Sequence, residues 1–154
     1  MEENILVSVL MPCYNHGKYV AESVESILNQ TYENIELLIV ENGSTDNSRE
    51  VLQQFKDNPK VKLFYLEKND CEKAHYILSS NASGEYFAQA TSDDIWMPDK
   101  LEKQMKYLKG HPEVSVCTTW AIYCDENMVP TKSKMDDVLR FNLRIPKVYL
   151  DICG

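Results

Sequence analysis

Ile35-Glu36-Leu37-Leu38-Ile39-Val40-Glu41-Asn42-Gly43-Ser44-Thr45-Asp46 is the stretch whose reading decides the fold. Its first six residues are mostly apolar and β-favouring, the signature of a short strand. Asn42-Gly43 closes it with a turn signal. Asp46 then stands where it can cap a helix running through Val51, Leu52 and Phe55. Strand, turn and helix follow one another without a linker.

The same unit recurs on both sides. Upstream, Ile5-Leu6-Val7-Ser8-Val9-Leu10-Met11 reads as a strand ending at Pro12. Val20, Val24, Ile27 and Leu28 then recur at helical spacing between Lys18 and Gln30. Downstream, residues 61–66 read as a third strand, Glu72 to Asn81 as a helix ended by Ser83-Gly84, and residues 85–90 as a fourth strand. Pro98 opens a helix through Leu101, Met105 and Leu108, a good use of proline at a first helical position. Val114 to Cys124 is a fifth strand candidate; a short helix at 136–141 and a short strand at 147–150 are candidates in the tail. Such alternation predicts an α/β fold, a mostly parallel sheet flanked by helices on both faces. Ligands of such sheets gather at the carboxyl ends of the strands.

Composition narrows the function. The 154 residues suffice for one domain with a sizeable core. The formal charge of −8, with no basic run longer than two residues, speaks against a surface that tracks nucleic-acid phosphates. Five widely spaced cysteines without a C-x-x-C pair give no zinc or redox-dithiol signature and suit a reducing cytoplasm. No stretch approaches the roughly 20 apolar residues of a membrane span, so this segment is not expected to carry a membrane anchor; the thiols make the cytoplasm the expected setting, or a peripheral place at the inner face of the membrane. Dinucleotide and P-loop readings fail because neither G-x-G-x-x-G nor G-x-x-x-x-G-K-[ST] occurs. A receiver domain fails because no acidic pair follows the first strand.

Three polar segments follow predicted strands: Pro12-Cys13-Tyr14-Asn15-His16, Glu41 to Asp46, and Thr91-Ser92-Asp93-Asp94. In a parallel sheet they converge on one edge. Alone, an Asp-Asp before a helix is more often a helix cap than a metal site. In this company, Asp93 and Asp94 become candidates for a hard divalent cation, since Mg²⁺ in particular takes one or two protein carboxylates and completes its shell with phosphate and water. The amide of Asn42 can both accept from and donate to a pyrimidine base, and Tyr14 offers a stacking face.

The segments Val9 to Asn15, Ser26 to Tyr32, Glu36 to Asp46, Ala82 to Tyr86 and Asp93 to Leu101 resemble, in order, those of family 2 glycosyltransferases of the GT-A fold. That resemblance covers residues 5 to about 120 and implies a Rossmann-like nucleotide-diphospho-sugar transferase. It implies that Pro12, Tyr14 and Asn42 contact the base, with Asn15, Glu41 and Ser92 nearby, and that Asp93 binds the metal, Mg²⁺ or Mn²⁺, with Asp94 beside it. The expected partners are a nucleotide-diphosphate sugar, most simply UDP-linked, and a saccharide or lipid-linked acceptor of cell-envelope or surface polysaccharide. Transfer is expected to be metal-dependent and inverting.

The sequence departs from the family pattern at three places. Glu41-Asn42-Gly43-Ser44 stands where Asp-Asp-Gly-Ser is usual, Thr91 replaces a carboxylate, and His75-Tyr76 replaces an Arg-Asn pair that frames the nucleotide. His75 remains a candidate donor to the nucleotide. No catalytic base can be named, since Asp125, Asp136 and Asp137 read as solvated surface. The expectation is thus a single nucleotide-sugar-binding domain over 1–154, incomplete on its acceptor side; the alternative is a binding module without catalysis.

Overall fold

The computed structural model of the chain describes residues 5–119, 121–125 and 129. Its elements run β1 (Val7–Cys13), α1 (Val20–Leu28), β2 (Ile35–Asn42), α2 (Ser48–Leu52), β3 (Val61–Leu66), α3 (Cys71–Asn81), β4 (Tyr86–Gln89) and α4 (Lys100–Gly110), and a 3-10 turn, Gln53–Phe55, extends α2. Residues up to Glu102 make one compact unit and those from Lys103 a second.

The four strands form one sheet of order β3-β2-β1-β4 in which every neighbouring pair is parallel. All eight residues of β2 are buried, as a strand with partners on both sides and cover on both faces requires. Leu10, Leu38, Val40 and Leu66 pack with Ala74 and Leu78 of α3. One residue out of phase, Val9, Met11, Leu37 and Ile39 are fully buried on the opposite face, as are Val20, Val24 and Ile27 of α1. At roughly 25 cal/mol per Å² of apolar surface, this two-faced core is the main favourable contribution to folding.

The strand order fixes where a ligand can sit. From β1 the chain steps outward to β2 and β3, then returns to place β4 on the other side of β1. That reversal opens a crevice at the carboxyl ends of β1 and β4, the place where open α/β sheets bind ligands.

Three expectations are corrected. Pro12 does not end β1; it lies in the strand opposite Val40. The β4 ladder stops at Leu10, whose carbonyl accepts from Ala90 at 2.9 Å, so the N–H that Pro12 lacks would have pointed past the end of β4. Asp46 is not the helix cap; α2 begins after Asn47, and Asp46 is drawn instead towards Gly17 and Ser48. The fifth strand does not form: among the described residues of 114–124 the only ladder position is a single bridge at Cys124, and Val116 and Ile122 are 71% exposed. β-favouring composition expresses itself only where a partner strand and a buried face receive it. The tail candidates at 136–141 and 147–150 lie outside the described residues.

Candidate functional site

The loop after β1 is stapled to the loop after β2. Three successive backbone N–H groups, of Asn15, His16 and Gly17, donate to Ser44 Oγ at 3.0 Å, Ser48 Oγ at 2.9 Å and Asp46 Oδ2 at 2.9 Å. The side chain of Asn15 returns the contact, its Oδ1 accepting from the Thr45 N–H at 2.8 Å. Asn15 has φ 55°, a left-handed conformation that asparagine tolerates better than most residues. Consecutive N–H groups of this kind could cradle an anion, but here side-chain oxygens of the neighbouring loop already fill them. Gly43, at φ 69°, passes so close to Lys68 that a Cβ would lie 2.5 Å from its backbone.

Beneath this staple, Glu41 and Asn42 are turned inward. Glu41 is fully buried, with one oxygen 2.8 Å from Arg49 Nε and the other accepting from the Ser44 N–H at 2.6 Å. Arg49 also donates to the Leu66 carbonyl at 2.7 Å. Asn42 is 2% exposed. Its Nδ2 donates to Asn69 Oδ1 and its Oδ1 accepts from the Asp70 N–H, both at 2.8 Å. Asp70 in turn caps α3 by accepting from the Lys73 N–H. The Asn42 amide thus fixes the loop after β3, one donor and one acceptor already committed within the protein.

Across the crevice lies the turn after β4. Ser92 is buried, and its Oγ lies 2.7 Å from His16 Nδ1; the other ring nitrogen of His16 faces Asp93 Oδ2 at 3.8 Å. The Asp94 carboxylate is taken by the Thr91 hydroxyl at 2.5 Å, whereas the Asp93 side chain remains 46% exposed. Cys13 lies behind Ser92 and Ser48, fully buried; burial pushes its thiol up, against the opposing hydrogen bonds of Ser92 and Ser48. That thiol stays protonated and is no nucleophile.

The turn is braced from below by α1. Gln30, 5% exposed, donates to the carbonyls of Ser26 and Met97 and accepts from the Leu101 N–H, and Ser26 Oγ accepts from the Trp96 N–H. Lys100 lies 4.2 Å above the Trp96 ring.

The structure thus brings together Pro12, Tyr14, Asn15, Glu41, Asn42, Ser92, Asp93 and Asp94 at adjoining strand ends. Tyr14 is 38% exposed at this edge. His75 stands apart: it is exposed on α3, and none of the hydrogen bonds linking the other loops reaches its ring among the described residues. His16 and Asp46, which the sequence marks only as parts of polar segments and as a helix cap, and Ser48 and Arg49, which it does not mark, make the contacts that hold the loops. Their only signal for that role was position, since all four follow strand ends.

No cluster of three or more metal-ligating side chains occurs among the described residues. Among these residues the side chains alone form no closed cage. An exposed Asp93 does fit the one- or two-ligand share that Mg²⁺ or Mn²⁺ takes from protein when phosphate supplies the rest.

The model of glycosyl transferase family 2 matches residues 8–152. A glycosyltransferase of Rickettsia typhi is 33% identical over 147 residues, covering 96% of this chain and 44% of its own. TuaG, a Bacillus subtilis glycosyltransferase provisionally named for teichuronic acid biosynthesis, is 40% identical over 105 residues, 67% of this chain and 42% of its own. Among solved structures, Staphylococcus aureus TarS in complex with UDP aligns with TM-score 0.64 and 25% identity over 70% of this chain and 33% of its own. A Pyrobaculum calidifontis mannosyltransferase with GDP-Man and Mn²⁺ shares the fold at TM-score 0.61 and 23% identity, over 77% of this chain and 35% of its own. The chain therefore spans less than half the length of these relatives.

Proposed function

The chain belongs to glycosyl transferase family 2, and we propose that it forms the donor-binding part of an enzyme that moves a sugar from a UDP-linked donor to a saccharide or lipid-linked acceptor in envelope polysaccharide synthesis. The observation that carries the proposal is the meeting of the β1, β2 and β4 loops at the reversal of strand order, with Tyr14 and Asp93 left exposed there. The UDP complex of TarS and the polysaccharide assignment of TuaG support the donor and the pathway class. A cytoplasmic setting, where nucleotide sugars meet a reduced thiol complement, belongs to the same proposal.

In this proposal Tyr14 stacks on the base, contributing apolar area with a polar tip at the rim. Pro12, Asn15 and Glu41 shape the base pocket through the stapled loops, and Asn42 acts chiefly by holding the loop after β3. His75 on α3 is available to the ribose or phosphate from the β3 side. Asp93 holds a Mg²⁺ or Mn²⁺ ion, with Asp94 restrained beside it by Thr91. The ion supplies charge neutralisation to the departing nucleoside diphosphate.

Calorimetric titration of UDP with and without Mn²⁺ tests this reading. Wild type is expected to bind UDP more tightly with Mn²⁺, and Asp93→Ala to lose most of that gain. Equal metal-assisted binding by the mutant would remove Asp93 from the metal; no nucleoside diphosphate binding at all would overturn the donor site.

A further inference from the structure

We propose that His16 is the second protein ligand of the cation at this site, its Nε2 standing opposite the carboxylate of Asp93. The inference rests on the donor-site reading and extends it to a residue outside the acidic turn. His16 and Asp93 come from the loops after β1 and β4, the two strands that flank the reversal of strand order. Their facing atoms are 3.8 Å apart, with the side chains 34% and 46% exposed. That separation is too long for a hydrogen bond. It is within the span of two atoms that share one cation through bonds of about 2.1 Å each.

The ring is held as a ligand would be. His16 Nδ1 lies 2.7 Å from the buried hydroxyl of Ser92. The Ser92 hydroxyl has Cys13 as a second hydrogen-bonding neighbour. It can donate there and accept from the Nδ1–H, which leaves Nε2 as the lone pair that faces Asp93. Metal-binding histidines are oriented in this manner, their far N–H given to an oxygen behind the ring. The backbone of the same residue is fixed as well, its N–H donating to Ser48 Oγ.

A second observation assigns the burden to side chains. The three successive N–H groups of Asn15, His16 and Gly17 are consumed by Ser44, Ser48 and Asp46. The loop after β1 therefore offers a diphosphate no free run of backbone donors. The side chain of this loop that faces Asp93 is the imidazole of His16.

The test is electron spin resonance of Mn²⁺ bound with UDP to the chain, prepared with ¹⁵N-labelled and unlabelled histidine. The expected result is a nitrogen hyperfine coupling that changes with the label. It should vanish in His16→Gln, which separates it from His75 and His111, the other two histidines. Ser92→Ala, which leaves Nε2 in place but frees the ring, should weaken Mn²⁺ binding in the presence of UDP by about 10-fold or more. The labelled wild type needs no substitution, so a variant that folds poorly does not decide the outcome. Asp93-dependent binding of Mn²⁺ and UDP without an imidazole coupling would overturn the role of His16 and leave the donor site standing. Absence of UDP binding under all conditions would overturn both.

Discussion

At the residue scale, Glu41 shows how a polar strand end is kept in a buried place. A carboxylate removed from water is costly unless every lone pair it presents is met. Arg49 and the Ser44 N–H meet the two oxygens at 2.8 and 2.6 Å. Removing the guanidinium strands the charge, while Arg49 itself is 43% exposed, so solvent screens part of the interaction. Arg49→Ala is expected to lower stability by about 2 kcal/mol, below the full cost of breaking a buried pair. Urea unfolding followed by circular dichroism checks it, with an unchanged midpoint as the contrary result. The sequence announced the position of these residues but not their partners. Asn42 could serve a base or a backbone equally well by its chemistry. Only the fold, which brings Asp70 to it from 28 residues away, shows that the amide is spent within the protein.

At the scale of elements, the four strands and four helices were legible because each carries its own periodicity and its own stop signal. The fifth strand does not appear although Val114 to Cys124 has the composition of one: among the described residues of this stretch only Cys124 occupies a ladder position, and composition alone does not make a strand. Less visible still was the bracing of one element by another. Gln30, at the end of α1, reads in sequence as an ordinary polar residue after a helix. In the structure its side chain takes up Ser26 O, Met97 O and the Leu101 N–H at 3.1, 2.7 and 3.0 Å. It thereby fixes the segment that follows the acidic turn. Gln30→Ala leaves those groups in a nearly dry site and should cost about 1–3 kcal/mol. Local opening should exceed the global loss. Hydrogen exchange at the Leu101 amide is expected to quicken more than exchange along β2; uniform quickening would mean that Gln30 supports the whole unit and not this segment.

At the scale of the whole molecule, carboxylates at the two ends of the sheet make stability depend on pH. At the end away from the crevice, Glu36 accepts from Ser8 Oγ at 2.6 Å and pairs with Lys62 Nζ at 2.7 Å, while Ser8 Oγ accepts from the Gly84 N–H at 2.8 Å. A Cβ at position 84 would lie 2.6 Å from the Ser8 nitrogen, so glycine is what lets the turn before β4 close on the sheet. Burial pushes the Glu36 carboxyl up, but the hydrogen bonds of Lys62, Ser8 and the Ser83 N–H outweigh it and hold the group below its ordinary 4.5. At the crevice end, Asp46 is likewise pushed up by burial. The Ser48 hydroxyl and the N–H groups of Gly17 and Ser48 prevail, leaving it below its ordinary 3.8. In both cases the unfolded chain takes up protons more readily than the folded one as pH falls. The stabilisation is therefore present in full above the unfolded values and is lost as pH drops from about 4.5 through the lowered folded values. Thermal unfolding measured across this range should show a falling midpoint. Glu36→Gln and Asp46→Asn should each flatten part of that fall, and their effects should add, since the two groups sit at opposite ends of the strands and share no partner. A double variant with the full wild-type slope would place the acid sensitivity elsewhere. If the variants instead flatten the slope, the loop staple at Asp46 can be weakened by acid independently of the clamp at Glu36, and UDP binding should then respond to Asp46→Asn but not to Glu36→Gln.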